Sequence, residues 1–517
     1  MPPSTRRRGL INLAGVALAS GLVILAGAAL VPFMLERLGK DDYGLFQLVR
    51  SFLGYLPLLT LALAPALSRY VIYAHGQEDR TAVSRYMSTG LTVMLGLSGV
   101  LWLAGSLLAL FLPRLLDLGP HGRQTQILLA LMAATVAISQ LVEVFNIPLF
   151  ARERIAEATA VSSMSPLLRA LGIVAAFYLL GPSLVWVGAA ALAGALVSGA
   201  VALVWAFRVF PWMKLSRRLI ERTAVRDLMS FGLFATLSGL TAAIYYSTDN
   251  QIIRWLYRTS GPALITVYSI GATWDPWIRS FFTPLVNVIL PRMTLLAAQD
   301  LGEEMRRLVL VAIRYSTTLV APVCIFVSVL AEPILVLWLG DRLTADEFAT
   351  AAAIMPIFLI SLLVAMGMFP TTTVFVARAK LAMPTFVALL GGLVNLVLSV
   401  VLARDAGWGL LGIAAATGIT TTLRVILFVP FYLRRVVGLP VLELFRRGLL
   451  PPWLLAGAYG VGCWWMREVT QPVTFTGLAL LFLACLIPYT LLAYFLVALP
   501  EDRRRLRQGL RKFRRNS

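Results

Sequence analysis

Runs of about 20 apolar residues recur from one end of this chain to the other, and they leave it few ways to fold. At 1.5 Å per residue, a helix of that length spans the ~30 Å hydrocarbon core of a bilayer. In lipid every backbone N–H and C=O must be paired within the protein, so only helices and closed barrels cross. A membrane barrel would show short segments of alternating polarity, and these are absent. Of the 517 residues 59% are hydrophobic and 14% charged, and the mean hydropathy is +0.83. A soluble domain has no use for so much apolar surface. The composition therefore predicts an all-α polytopic membrane protein.

Fourteen transmembrane helices are predicted, at roughly 10–35, 44–74, 87–112, 124–150, 158–180, 185–207, 230–256, 263–291, 308–331, 350–376, 384–403, 409–430, 451–466 and 475–498. The first run follows Arg6, Arg7 and Arg8. It is too long for the apolar region of a secretory signal, so it reads as a retained helix. With the N-terminus inside, about 30 of the 45 Lys and Arg residues fall in cytoplasmic segments, whereas acidic residues divide almost evenly. That pattern predicts a multi-pass protein with both termini in the cytoplasm. The net charge of +20 would suggest nucleic acid in a soluble protein. Here it follows topology, and no nucleic-acid partner is expected.

Several chemistries are disfavoured. Cys324, Cys463 and Cys485 all lie in apolar runs, which argues against a disulfide framework. His75 and His121 are the only histidines, which leaves little for a metal site or a catalytic triad. No G-x-x-x-x-G-K-[ST] motif occurs, so ATP hydrolysis by that route is not expected. Neither a cofactor nor a metal is predicted.

The chain divides into similar halves. "LGKDDYGLFQL" (38–48) follows the first span and "SGPALITVYSI" (260–270) follows the seventh. Without gaps, Gly39 aligns with Gly261, Phe46 with Tyr268 and Leu48 with Ile270. The predicted organisation is an N-lobe of six helices (1–207), a cytoplasmic linker (208–229) and a C-lobe of six helices (230–430). Two added helices (431–498) and a basic cytoplasmic tail (499–517) follow. Parallel repeats around a central site are a standard transporter plan.

The stretch "RLGKDDYGLFQLVRSFLGYLPLLTLALAPALSRYV" and the later "STDNQIIRW" with "VYSIG" resemble the two lobe openings of Wzx-type oligosaccharide flippases. Those belong to the MOP superfamily, which also holds MATE-like and MurJ-like proteins. Thr60 and Ala62 depart from the Asp and Gly often found there in that family. The resemblance implies two lobes around a central cavity. It also implies translocation of a polyprenyl-pyrophosphate-linked oligosaccharide from the inner to the outer leaflet. The setting it implies is surface polysaccharide or lipopolysaccharide biosynthesis at a bacterial cytoplasmic membrane. Its partners would be the lipid-linked glycan, the bilayer, glycan polymerase or assembly proteins, and H+ or Na+.

Charges inside the predicted spans carry the rest of the reading, because a full charge at the bilayer centre costs at least about 2.5 kcal/mol. Seven arginines and three acids fall there. Arg69, Arg314 and Arg424 lie near inner ends and can reach the headgroups. Arg50, Arg169, Arg254 and Arg279 are the candidates for binding pyrophosphate, since guanidinium grips phosphate through paired hydrogen bonds and stays protonated. Arg254 and Arg279 are expected to face one shared cavity. Glu143, Asp249 and Asp275 are candidates for ion coupling or for structural contacts. Asp275 and Arg279 stand four apart on one helix face, so either they neutralise each other or a phosphate competes for the arginine. In "YYSTDNQIIRW", Asp249 and Arg254 lie about 140° apart and are not expected to pair. Trp274, Trp277 and Tyr245 are candidate sugar contacts. The two tryptophans sit about 17–21 Å along a helix broken by Pro276, deeper than an interfacial belt.

A MATE-like multidrug or cation antiporter is the nearest alternative, but it would want an acidic cavity. A membrane glycosyltransferase or polymerase is the alternative from another class, with Asp41 and Asp42 in an outer loop. That loop is only about eight residues long, so a transporter rather than an enzyme is expected.

Overall fold

The computed structural model describes residues 3–498, apart from residues 61, 62, 116, 117, 119, 120, 231 and 288. All regular structure among the described residues is helical. The basic tail 499–517 and Ala62 lie outside the described residues. The chain forms two compact units, Met1–Ser269 and Ile270–Ser517.

The first unit contains α1 (Pro3–Leu53), α2 (Leu63–Gly76), α3 (Arg80–Leu115), α4 (Gly122–Ala151), α5 (Ile155–Leu180) and α6 (Leu184–Val209). It continues through α7 (Arg222–Ser230) and α8 (Gly232–Leu256) into α9 (Gly261–Ala272). The second unit contains α10 (Trp274–Asn287), α11 (Leu290–Ala298), α12 (Gly302–Val329), α13 (Ala331–Leu339), α14 (Ala345–Met368) and α15 (Pro370–Ala377). After them come α16 (Ala382–Val400), α17 (Gly409–Leu423), α18 (Val429–Val437), the short α19 (Val441–Glu443), α20 (Leu450–Thr470) and α21 (Phe475–Leu496).

Ten helices among the described residues are long and apolar enough to cross a membrane, fewer than the fourteen predicted. Two predicted spans are broken. The span at 44–74 stops at Leu53, runs through a 3-10 turn at Leu56–Leu59 that contains Pro57, and resumes at Leu63. The span at 263–291 divides at Thr273, just before the Asp275-Pro276 step, and again after Asn287. Proline lacks the N–H that a continuous helix needs. The other two spans are α8, which carries Asp249, Asn250, Gln251 and Arg254, and α20, which is rich in Gly, Pro and Trp.

Two backbone features position the site in the first unit. Gly39 breaks α1 with φ +80° and ψ 173°, a conformation that glycine adopts without strain. Arg37 lies over the Tyr178 ring of α5, 5.1 Å from its centroid. Arg50, beyond the break, is within electrostatic range of Arg169, nine residues earlier on α5. The segment after Gly39 therefore runs back along α5. At Gly194 of α6, a Cβ would stand 2.7 Å from the Ser165 oxygen and 3.2 Å from the Arg169 nitrogen. Such small residues let membrane helices approach closely, and here they fix the α5 backbone under Arg169.

The segment 208–229 is tied to α3. The Lys214 and Ser216 amides donate to Ser84 and Ser88, and the Glu221 amide donates to Thr89. Arg85 pairs with Glu221 at 3.0 Å. Beside these contacts the His75, Phe210 and Trp212 rings are spaced 4.9 Å apart in succession, and Arg152 lies over Phe210. Burial, then the Arg152 charge, holds the His75 imidazole below its ordinary 6.5, with Glu78 acting the other way. The unfolded chain therefore binds the proton more readily than the folded one. Stability from this group is complete above about pH 6.5 and falls as pH drops toward the folded value. Between about pH 7.5 and pH 5, wild type is expected to lose more thermal stability than His75→Phe. Equal losses in a melting experiment would contradict the assignment.

Candidate functional site

The first unit gathers two arginines without a carboxylate. Arg50 follows Tyr43 and Gln47 on the returning segment of α1, at a three-to-four-residue spacing that puts them on one face. Gln47 Nε2 donates to the Tyr43 hydroxyl at 2.8 Å, and Arg50 donates to Gln47 Oε1 at 3.1 Å. The Arg50 guanidinium also lies 5.7 Å from the Phe46 ring centroid. Tyr43 and Gln47 are buried, whereas Arg50 is exposed. Arg169 approaches from α5. The groups that act on it are Arg50, which repels it, and Tyr43. Its Nε is buried without a hydrogen-bond acceptor. Neither arginine forms an ion pair among the described residues. Two guanidiniums within electrostatic range of each other, with no ion-pair partner among the described residues, make a local positive field suited to an anion of more than one charge.

Both polar sides of α8 meet protein neighbours. Asn250 donates to the Gln47 carbonyl at 3.4 Å, and Ser247 packs against Gly54. That side faces α1. On the other side Asp249, 4% exposed, accepts from the Tyr268 hydroxyl of α9 at 2.5 Å. Gln251, on the Ser247 side of the helix, accepts from Tyr55 at 3.0 Å. Arg254 is also 4% exposed. It donates to the Arg258 carbonyl and packs against Gly261, closing the end of α8 as basic residues do at helix C-termini. Tyr245 is buried on the same helix. Glu143 is exposed on α4 and lies beside Ser162 of α5, which also accepts from Asn146 at 2.9 Å.

In the second unit, Arg279 grips Asp275 with two hydrogen bonds of 3.1 and 3.0 Å. The two side chains that share a helix face in the sequence are thus joined as an ion pair. Trp274 and Trp277 flank it, and both touch Trp338 of α13. Trp338 escaped notice in the sequence because it stands 61 residues beyond Trp277, in a short helix with no polar neighbour beside it. Arg50 and Arg169 thus come together in one unit. Arg254 and Arg279 belong to different units, and each has a local partner.

This arrangement of helices is shared with transporters of the MOP superfamily. An inward-facing multidrug resistance MATE family transporter aligns with a TM-score of 0.66 at 16% identity, covering 83% of this chain and 98% of its own. The inward closed conformation of the lipid II flippase MurJ aligns at 0.65 and 13% identity, covering 93% and 98%. A MOP superfamily transporter from Pyrococcus furiosus Vc1, whose binding pocket has reverse polarity, aligns at 0.64 and 15% identity, covering 84% and 95%. The uncharacterized membrane protein EpsK of Bacillus subtilis (strain 168) is 23% identical over 506 residues, 97% of this chain and 98% of EpsK. The fold is that of multi-pass membrane flippases and transporters. The model of the lipid II flippase MurJ family matches residues 48–485, and the chain belongs to that family.

Proposed function

We propose that this protein carries a polyprenyl-pyrophosphate-linked oligosaccharide from the inner to the outer leaflet of a bacterial cytoplasmic membrane, for surface polysaccharide assembly. The observation that carries this reading is the Arg50–Arg169 pair, two guanidiniums in one unit with no acid beside them. A pyrophosphate headgroup replaces the missing counter-charge, while the prenyl tail remains in lipid. The same pair repels a cationic drug, which weighs against MATE-like antiport. Lipid II, the cargo in the family's name, shares the pyrophosphate and prenyl chemistry, so the charged end is common to both cargoes. Glu143, Asp249 and Asp275 are the proposed acids for coupling to H+ or Na+. The two six-helix lobes, with both termini in the cytoplasm, remain part of the proposal. Membership of a flippase family supports the reading, as does the fold shared with MurJ.

Binding tests the sign of the site. Purified protein is expected to bind undecaprenyl pyrophosphate saturably. Inorganic pyrophosphate should compete, and rising salt should weaken the complex. Ethidium should not bind at the same site. Saturable ethidium binding that pyrophosphate leaves untouched, with no binding of the lipid, would overturn the proposal.

A further inference from the structure

We infer that Trp338, with Trp274 and Trp277, forms a carbohydrate-binding site in the second unit that reads the sugar end of the cargo. The inference rests on the proposed function, because it presumes a cargo that bears sugar. The three indoles meet pairwise at centroid distances of 5.7, 5.8 and 5.8 Å, with interplanar angles of 69–72°. Two come from successive turns of α10 and the third from α13. All three are partly exposed rather than sealed in the core. Edge-to-face packing is a stable arrangement for aromatic rings. It turns their planes to different directions and holds the flat apolar faces in fixed positions. A pyranose has one face of C–H groups, which suits such a surface, and a rim of hydroxyls, which needs donors and acceptors.

The polar complement is present. The Trp274 Nε1 is buried with no acceptor among the described residues. A buried indole N–H ordinarily finds a partner, and a sugar hydroxyl supplies one. An interfacial anchor would instead turn that N–H to the headgroups. On the same helix, the Asp275–Arg279 pair is neutral overall, and the arginine side chain is 30% exposed against 6% for the acid. A neutral pair has little pull on a phosphate, yet it offers hydrogen bonds to uncharged hydroxyls. Within the second unit, the indoles and the neutral ion pair thus suit a sugar rather than a phosphate.

The test compares two probes on the full-length protein: undecaprenyl pyrophosphate, bare and bearing one N-acetylglucosamine. Ring-face stacking tolerates different pyranoses, so the probe sugar need not be that of the natural cargo. Wild type is expected to bind the sugar-bearing lipid about tenfold more tightly. Trp338→Ala should lose that advantage and keep its affinity for the bare lipid, and Trp338→Phe should retain part of it. Equal wild-type affinity for the two probes would overturn this inference and leave the proposed function standing. Weakening of both probes alike by Trp338→Ala would also overturn it, since that marks a structural role. Binding of neither probe by wild type would overturn both.

Discussion

Replacing Arg169 with alanine is expected to slow translocation of a lipid-linked oligosaccharide about a hundredfold and to leave the protein at least as stable as wild type. On the proposed function, the rate loss follows from removing one charge-assisted contact to the pyrophosphate. Such contacts contribute roughly 1.5–3 kcal/mol, and 2.7 kcal/mol is about a factor of 100. The stability expectation follows from the local electrostatics. Arg169 stands beside Arg50, which repels it, and its buried Nε has no acceptor. Removing it relieves a repulsion and a desolvated donor, the usual relation between a strained site and its function. Arg169→Lys should restore part of the rate, because an ammonium keeps the charge and loses the planar fork. Translocation in proteoliposomes and melting in detergent together decide the matter. A variant that transports at the wild-type rate, or that melts well below wild type, would show that Arg169 serves the fold rather than the cargo.

Replacing Gly44 with alanine is expected to cost about 3 kcal/mol or more of stability in the first unit. A Cβ there would fall 1.8 Å from the Pro262 carbonyl oxygen and 2.5 Å from its carbon. Those are backbone atoms and cannot rotate aside. The returning segment of α1 and the start of α9 would have to separate. That would strain the hydrogen bond from Thr266 to the Lys40 carbonyl, 2.6 Å, and shift Tyr268 against Asp249. Gly96 provides the control, since nothing lies within 4 Å of a Cβ at that position on α3. Gly96→Ala should melt at or slightly above wild type, because alanine is the better helix former. If Gly44→Ala melts with Gly96→Ala, the close approach of α1 and α9 does not hold.

The helical fold was legible because lipid demands it: an apolar run of sufficient length has no other way to satisfy its backbone. Runs such as 122–151 and 184–209 are recovered almost to the residue. The breaks were harder to see. Pro57 and Pro276 are visible in the sequence, but whether a proline bends a helix or ends it depends on the neighbours that take up the freed carbonyls. Among the charges, sequence spacing gave depth and face but no partner. It marked Arg254 as costly, yet only the α8–α9 turn reveals the Arg258 carbonyl that receives it. It placed Asp275 and Arg279 on one face, and the geometry then joined them. Arg50 and Arg169 are 119 residues apart, and only the reversal at Gly39 brings them together. Trp338 had no local signal, since an aromatic cluster is a property of packing between helices.

Movement of a lipid-linked glycan across a bilayer, the proposed activity, is read most directly from the glycan's arrival on the other side. The purified protein would be reconstituted in liposomes with an undecaprenyl-pyrophosphate-linked oligosaccharide in the inner leaflet, and exposure of the glycan to an external glycosidase followed in time. Protein-dependent exposure is expected, slowed about a hundredfold in Arg169→Ala, with or without a requirement for a proton or sodium gradient. Exposure no faster than in protein-free liposomes under every gradient would overturn the proposed function.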